Sequence, residues 1–513
     1  MSGSPSAPAG RDQGGWRRAA RLGSVWTTPA LLLAVPTALI AEGRDGLWLA
    51  LLFVVAPLLA SLASASTRGA AAGAGEGTLP VVAMLLVVGL LVWANLSLAG
   101  DIATWMGLPR WRGIVPAAGV ALGLMLWPAV ARHWPWLLPV GLVALVLPLV
   151  VIVYASHSNP IATWSRVASQ PAFRFSADSP WVTEGRSVGP RRGSHALLFE
   201  EEHRVTPVGS GPLRIEVSDL GRLQVQEWTL APGQSVTLRP GDRLQVDSPS
   251  RFKFEADKRV PGAPVSGIAW ADSSRSPRPV TLIRLLGLGL TLVGGALGLV
   301  GFAGPTGTAR TSVGLSGLVF LVALGWAECW ALYAVRWAPE FFLAGTTTAA
   351  LLELPALVLR GSPWGSRLAG VTLVGLFALF LAASAALRKQ LAVAQEQAEA
   401  GVGSDRGLWI GIFAVAALAA LWPVEPSSLV LSSLGLAAST RSPFVLFGTP
   451  ADRPGAGAWA AGLGLVLFLG LTAVGRLGVP VGAVAQALVA YPALVAAPVA
   501  AGILRVARRP AGP

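Results

Sequence analysis

The chain alternates between long apolar runs and short polar ones, with a single long polar interval near its middle. Apolar runs of the length that a membrane-spanning helix needs, about 20 residues, recur before residue 155 and after residue 280. From about residue 196 hydrophobic residues occupy every second position, as in Leu213, Ile215 and Val217. Alternation with a period of two predicts half-buried β-strands. The pattern therefore predicts two helical membrane blocks around a β-rich insert.

The apolar runs predict a polytopic α-helical membrane protein with about twelve spans. Five spans precede the insert, at 26–41, 47–63, 78–99, 113–131 and 136–155. Seven spans follow it, at 280–303, 312–335, 338–359, 367–387, 407–423, 456–475 and 479–504. A further run at 427–447 is rich in serine and contains Arg441 before Pro443. We expect this run to be re-entrant or to lie at the membrane interface. If it is re-entrant it marks a cavity, because non-helical backbone inside a membrane is tolerated only where other protein or a water-filled cavity satisfies its polar groups.

The composition agrees with this class of protein. Of the 513 residues 53% are hydrophobic and 13% are charged, about half of the roughly 25% that soluble proteins carry. Residues 156–279 hold 29 of the 65 charged residues, so about 23% of the insert is charged, against about 9% of the remaining chain. This composition therefore excludes a soluble globular fold for the two membrane blocks.

The net charge of +13 indicates orientation rather than nucleic-acid binding, because arginine and lysine collect on cytoplasmic loops. A cytoplasmic amino terminus places the insert outside. The second block then has eight basic residues inside and five outside if 427–447 does not span, but four inside and eight outside if it does. We therefore predict a plasma-membrane protein with both termini cytoplasmic and the insert extracytoplasmic.

These patterns divide the chain into five regions. They are a disordered cytosolic tail at 1–25, a first membrane block at 26–155, an extracytoplasmic β-rich domain at 156–279, a second membrane block at 280–504 and a basic cytosolic tail at 505–513.

The insert predicts a small all-β sandwich or jelly roll. Its alternating runs, including one at Ile268 and Trp270, are separated by Gly-Pro and Pro-Gly turns. His195 and His203 flank three glutamates, 200–202, and this group is either a metal site or a solvated acidic loop. A domain of mixed charge without a catalytic cluster favours binding of an extracytoplasmic protein or glycan partner.

Two carboxylates inside predicted spans are candidate functional residues, Glu328 and Glu353. Measured from Arg336 at the outer boundary, they should lie roughly 12 and 21 Å deep on adjacent helices. That spacing favours successive stations of a proton path, whereas a structural role would leave each carboxyl bonded to a neighbouring polar group.

The sequence predicts no catalytic, cofactor-binding or metal-binding residue, because it contains no phosphate-binding glycine loop, Cys-x-x-Cys, Gly-x-Ser-x-Gly or metal-type His-Glu motif. Cys329 is its single cysteine. We leave open whether the protein is an enzyme and favour a non-enzymatic membrane protein.

One stretch, Ser442-Pro-Phe-Val-Leu-Phe-Gly448, resembles the Pro-Phe-Val-x-Tyr-Gly segment of the FtsW and RodA cell-wall polymerases. This resemblance implies a membrane-embedded glycosyltransferase that acts on a lipid-linked sugar. The span pattern favours instead a transporter or membrane scaffold of the bacterial cell envelope, or an accessory subunit of a larger membrane complex.

Overall fold

We describe the protein from a computed structural model. The described residues are 15–43, 46–66, 78–127, 133–175, 180–183, 195–207, 213–219, 224–231, 233–246, 250–272, 278–300, 309–343, 348–359, 362–397, 405–447, 454–477 and 483–507.

The helices of the described chain occur on both sides of a β region. Those before it are α1 Gly15–Trp26, α2 Pro29–Glu42, α3 Gly46–Ser66, α4 Thr78–Trp105, α5 Trp111–Leu126, α6 Leu137–Ala155 and α7 Pro160–Ala168. Those after it are α8 Gly267–Asp272, α9 Arg278–Val300, α10 Ala309–Trp337, α11 Leu354–Val358, α12 Trp364–Gln397, α13 Asp405–Ala420, α14 Pro426–Thr440, α15 Ser442–Phe447, α16 Pro454–Arg476, α17 Ala483–Ala490 and α18 Ala493–Ala507.

Seven helical stretches of the described residues are long and apolar enough to cross a membrane. They belong to α4, α6, α9, α10, α12, α14 with α15, and α16. The bent pair α1 and α2 would make an eighth, while α3, α5, α13 and α18 contain shorter apolar helices. The prediction of a multi-pass helical membrane protein is confirmed, but helix length alone does not yield twelve spans.

The stretch 338–359, which we name the broken segment, is described at 338–343 and 348–359, and these residues do not form the long helix that the predicted span requires. After α10 ends, the chain makes 3-10 turns at Pro339–Phe342 and Thr348–Glu353 and then the five-residue helix α11. The Trp330 indole of α10 donates a hydrogen bond of 2.9 Å to the Leu351 carbonyl. Proline at 339 and 355 removes amide donors, which explains why an apolar sequence here does not continue as a helix.

Residues 426–447, which we name the central segment, are helical and not an interfacial loop. They form α14 and α15, separated by a bend at Arg441. Of the seven candidate spans this stretch has the lowest mean hydropathy, 1.3, and the largest buried share, 83%. α14 packs against α2, α4, α9, α16 and α18, and its Ser433 and Ser439 are buried among them.

Glycines of α9 make the close approach to the central segment possible. A Cβ placed on Gly298 would lie 2.7 Å from the Ala437 carbonyl oxygen, and one on Gly294 would lie 2.7 Å from the Ala438 Cβ. The face of α9 that carries Gly294 and Gly298 is therefore a helix-packing face.

The β region consists of two four-stranded antiparallel sheets. The strands are β1 Pro180–Thr183, β2 His195–Leu198, β3 His203–Pro207, β4 Leu213–Asp219, β5 Gln224–Leu230, β6 Val236–Leu238, β7 Asp242–Val246 and β8 Ser250–Phe254. Their orders are β1-β8-β3-β6 and β2-β7-β4-β5. Phe199 joins the sheets, because it follows β2 and contacts His203 of β3 and Phe254 of β8. The alternation at Ile268 and Trp270, by contrast, falls in helix α8.

Helices α7 and α8 attach the β region to the membrane helices. The Trp270 indole donates to the Ile40 carbonyl at the end of α2, 3.2 Å away, and the Trp270 backbone leaves no room for a side chain at Gly43, which has φ +58°. The Tyr333 hydroxyl of α10 donates to the Ser158 carbonyl just before α7. The insert is therefore fixed to the ends of α2 and α10.

The amino-terminal boundary also differs from the sequence prediction. Residues 15–25, expected to be part of a disordered tail, belong to α1, in which Ala19 and Ala20 are fully buried. Residues 1–14 of that tail and residues 508–513 of the basic tail lie outside the described residues.

Candidate functional site

The first two helices of the described chain are separated by a break at the beginning of the first apolar run, 26–41. α1 and α2 meet at Thr27 and Thr28 with a bend of 55°. At 1.5 Å per residue α1 is about 18 Å long and α2 about 21 Å, so neither helix alone is long enough to cross an apolar layer of about 30 Å. Pro29 starts α2, where its missing N–H costs no helix hydrogen bond.

Asn95 of α4 satisfies the polar groups at this break. Its Oδ1 accepts from the Thr28 hydroxyl at 3.0 Å and from the Ala30 backbone N–H at 3.3 Å. Its Nδ2 donates to the Leu91 carbonyl at 2.7 Å and lies 2.7 Å from the Thr28 hydroxyl oxygen. Asn95 thus acts as the cap of α2 from a different helix, and it holds the break in place.

A cavity of about 300 Å³ opens beside the break, and we name it the amide cavity. Pro29 and Asn95 lie on its inner side, and Leu376, Phe377 and other side chains of α4, α5 and α12 form apolar walls. Arg112 of α5 is its charged lining residue and is exposed. The cavity is therefore suited to an apolar group that enters beside a cation.

Arg110 fixes the end of α4 beside this cavity. Its guanidinium forms an ion pair with Asp101, and it donates to the Ser97 hydroxyl at 2.7 Å and to the Ala420 carbonyl at 2.7 Å. The Ser97 hydroxyl in turn donates to the Val424 carbonyl at 3.0 Å. This network satisfies the end of α13 and makes the wall of the cavity rigid.

The structure places Glu328 in a second cavity, of about 320 Å³, which we name the carboxylate cavity. Glu328 lies on α10, little more than one turn before Tyr333, and therefore close to the base of the insert. The walls come from α2, α3, α7, α8 and α10. Among the described residues no hydrogen bond or ion pair is formed by the Glu328 carboxylate.

The structure does not place Glu353 with Glu328 on two adjacent transmembrane helices. Glu353 is the last residue of a 3-10 turn in the broken segment. The expected depth of 21 Å for Glu353 required a continuous helix over 338–359, and the described residues of this segment do not form one. Glu353 does not line either cavity.

His203 is neither a ligand in a described metal cluster nor part of a solvated loop. It is fully buried in β3 and lies between Phe175 and Phe199, with ring centroids 5.8 and 5.0 Å away. Within the described residues no group of three His, Cys, Asp or Glu side chains has the geometry to hold a metal. Burial lowers the pKa of His203 below its ordinary value, while the Glu201 carboxylate opposes this shift.

Sequence reasoning missed the break that Asn95 caps. The signal was present, since Thr27-Thr28-Pro29 is an N-terminal helix signature inside an apolar run.

The stretch resembling the cell-wall polymerases forms α15, in which Pro443, Phe444 and Val445 are buried, and it lines neither cavity. No family model matches the chain, and no curated protein matches it.

Proposed function

We propose that the protein is a multi-pass transporter of the bacterial plasma membrane for an amphipathic substrate, with the β region as an exterior domain that binds a protein or glycan partner. One observation carries the proposal: the break between α1 and α2 opens on the amide cavity.

The break supports transport because an interrupted helix is less stable in lipid than the continuous helix that a purely structural span would use. Breaking a helix in lipid leaves backbone groups without partners, and such breaks are tolerated where they line a cavity or are satisfied by protein. Discontinuous helices near the midplane form the binding sites of many secondary transporters. A membrane scaffold or an accessory subunit needs only continuous helices.

The walls of the amide cavity favour a substrate with a long apolar part. Leu98, Ile102 and Phe380 contribute hydrocarbon to the lining, while Arg112 offers a positive charge that lies 5.5 Å from the Trp111 ring centroid. An anionic amphiphile has both matching parts, an acyl-like chain and a negative headgroup.

We further propose twelve crossings, made by the seven long stretches, the α1–α2 pair and α3, α5, α13 and α18. The central segment then crosses the membrane, and the broken segment begins and ends on the side of the insert. This exchange leaves both termini cytoplasmic and the insert extracytoplasmic. In the second membrane block it places eight basic residues inside (Arg310, Arg388, Lys389, Arg406, Arg453, Arg505, Arg508 and Arg509) and four outside (Arg336, Arg360, Arg367 and Arg476).

Contacts at the two ends of the bundle support this arrangement. Phe173 of the insert meets Phe342 of the broken segment, with ring centroids 4.8 Å apart. At the other end Arg388 donates to the Met125 carbonyl at 3.1 Å, and Lys389 lies 5.7 Å from the Trp134 ring centroid. The end of α12 that carries Arg388 is thus the one away from the insert.

The test is lipid translocation by the purified protein in liposomes, with fluorescent phosphatidylglycerol as the probe and a membrane-impermeant quencher as the readout. We expect the wild type to accelerate translocation over protein-free liposomes. Ile102→Trp, which fills the amide cavity, should reduce the rate at least about tenfold. Leu86→Trp, on the exposed face of the same helix, is the matched control and should leave it unchanged. Wild-type protein that does not accelerate translocation, or a rate that Ile102→Trp does not alter, would contradict the proposal.

A further inference from the structure

The carboxylate cavity has a chemistry different from that of the amide cavity. Glu328 is the one charged side chain among the described residues that line it. The other lining residues are Leu39, Leu47, Pro160, Ile161, Trp164, Trp270, Cys329, Ala331 and Leu332. Glu328 is half-buried, and a carboxylate in an apolar lining that has no hydrogen bond or ion pair among the described residues would be stabilised by a bound cation.

Two indoles lie in the same lining. Trp164 of α7 and Trp270 of α8 are neighbours, with ring centroids 5.2 Å apart. Indole rings attract organic cations through their π faces, and quaternary ammonium groups are often held between aromatic rings and a carboxylate. A metal ion is a poorer fit, because one carboxylate supplies too few oxygen ligands for Mg²⁺ or Ca²⁺.

The mouth of the cavity indicates how the rest of the ligand is accommodated. Ile161 is 81% exposed and Leu47 is 37% exposed, so apolar side chains border the opening. An exposed apolar rim at the level of the insert's base suits a ligand whose hydrocarbon part remains in the bilayer. The volume of about 320 Å³ is in the range of small-molecule sites.

We propose that the carboxylate cavity binds the ammonium group of an amphipathic amine, with Glu328 as its counter-ion and Trp164 and Trp270 as its aromatic walls. The ligand is either a free amphipathic amine or the headgroup of an aminophospholipid. This site is separate from the amide cavity and does not depend on the proposed transport function.

Cys329 provides a reporter in the native chain, because it is the single cysteine and lines the same cavity. The experiment compares the labelling rates of a cationic and an anionic methanethiosulfonate reagent of equal size in phosphatidylglycerol nanodiscs. Relative to their rates with a free thiol, we expect the cationic reagent to be favoured about a hundredfold, because two unit charges about 12 Å apart at an effective dielectric constant of about 20 speed the cation about tenfold and slow the anion about tenfold. Glu328→Gln should remove this preference, whereas Glu425→Gln, at an exposed loop carboxylate, should retain it.

Protection of Cys329 identifies the ligand and remains informative if Glu328→Gln does not fold. Added dodecyltrimethylammonium should slow labelling of the wild type at least about fivefold, and the equally long dodecyl sulfate should not. Slower labelling in nanodiscs that contain phosphatidylethanolamine would assign the site to a lipid headgroup, and protection by the added amine alone would assign it to a free amine. The proposal would be overturned if the cationic and anionic methanethiosulfonate reagents reacted equally, or if neither dodecyltrimethylammonium nor phosphatidylethanolamine slowed the labelling.

Discussion

The broken segment and the central segment exchange the roles that hydropathy assigns to them. The broken segment, 338–359, is apolar enough to be predicted as a span, yet it forms two 3-10 turns and a five-residue helix. The central segment, 426–447, is the least apolar of the seven candidate spans, yet it is the most buried. Hydropathy reports how well a segment tolerates lipid, and a helix surrounded by other helices does not meet lipid.

The polar side chains of the central segment show how it tolerates this position. Ser439 and Thr440 donate to the carbonyls four residues earlier, at 2.8 and 2.7 Å, and Ser433 donates across to the Val87 carbonyl at 2.9 Å. By contrast, α16 has a mean hydropathy of 1.9 and only 28% of its span is buried. The helix at the centre is thus marked by hydroxyls that donate to backbone carbonyls, whereas most of α16 is exposed.

The largest effect that we predict comes from filling the contact between α9 and the central segment. Gly298→Leu should lower stability by more than about 3 kcal/mol, because its side chain must enter space held by the Ala437 backbone. Gly470→Leu on α16 is the control. It has no atom within 4 Å and should be neutral or slightly stabilising, since leucine is the better helix former. Thermal unfolding in detergent measures both, and equal melting temperatures would refute the central position of 426–447.

A smaller effect tests how the broken segment is held. Trp330→Phe removes the donor to the Leu351 carbonyl and should cost about 1–2 kcal/mol more than Trp326→Phe. Trp326 is the matched residue: it lies one turn earlier on α10, its ring centroid is 5.0 Å from that of Trp330, and its indole N–H has no hydrogen-bond partner among the described residues. If the two variants have the same unfolding free energy, the hydrogen bond does not hold the broken segment.

These two segments also show how much the sequence could predict. Long apolar runs such as α4 and α6 and the alternating strands of the insert follow from local periodicity, and they were predicted. The central segment was not, because its environment is set by five other helices that no local window contains. Of the candidate site residues, Glu328 was found from its charge in an apolar run, whereas the cap of α2 by Asn95 joins residues 67 positions apart and required the fold.

The smallest effect that we predict concerns the β region. There His203, like the serines of the central segment, is a polar residue at a buried position. Because burial lowers its pKa in the folded state, unfolded His203 binds protons more readily than folded His203. The stabilising contribution of its neutral form is therefore complete above about pH 6.5 and is lost as the pH falls toward the folded pKa.

Unfolding of the full-length protein between pH 8 and pH 5 measures this loss. His203→Leu should flatten the decline in melting temperature below pH 6.5, and His133→Gln, at an exposed position, should not. The groups that act on the charge of His203 are Glu201, Glu255, Lys258 and the Arg259 backbone, and they stay unchanged in both variants. An identical pH profile for wild type and His203→Leu would show that His203 does not contribute.

The central claim is that residues 426–447 cross the membrane and residues 338–359 do not. Single cysteines at Ser362 and Arg406, introduced into a Cys329→Ala background, test it by labelling intact cells with a membrane-impermeant maleimide, with a cysteine at Gln234 of the β region as the reference. Our account predicts that Ser362→Cys is labelled from the same side as Gln234→Cys and that Arg406→Cys is labelled only after the membrane is opened. Labelling of Arg406→Cys together with Gln234→Cys, and protection of Ser362→Cys, would contradict it.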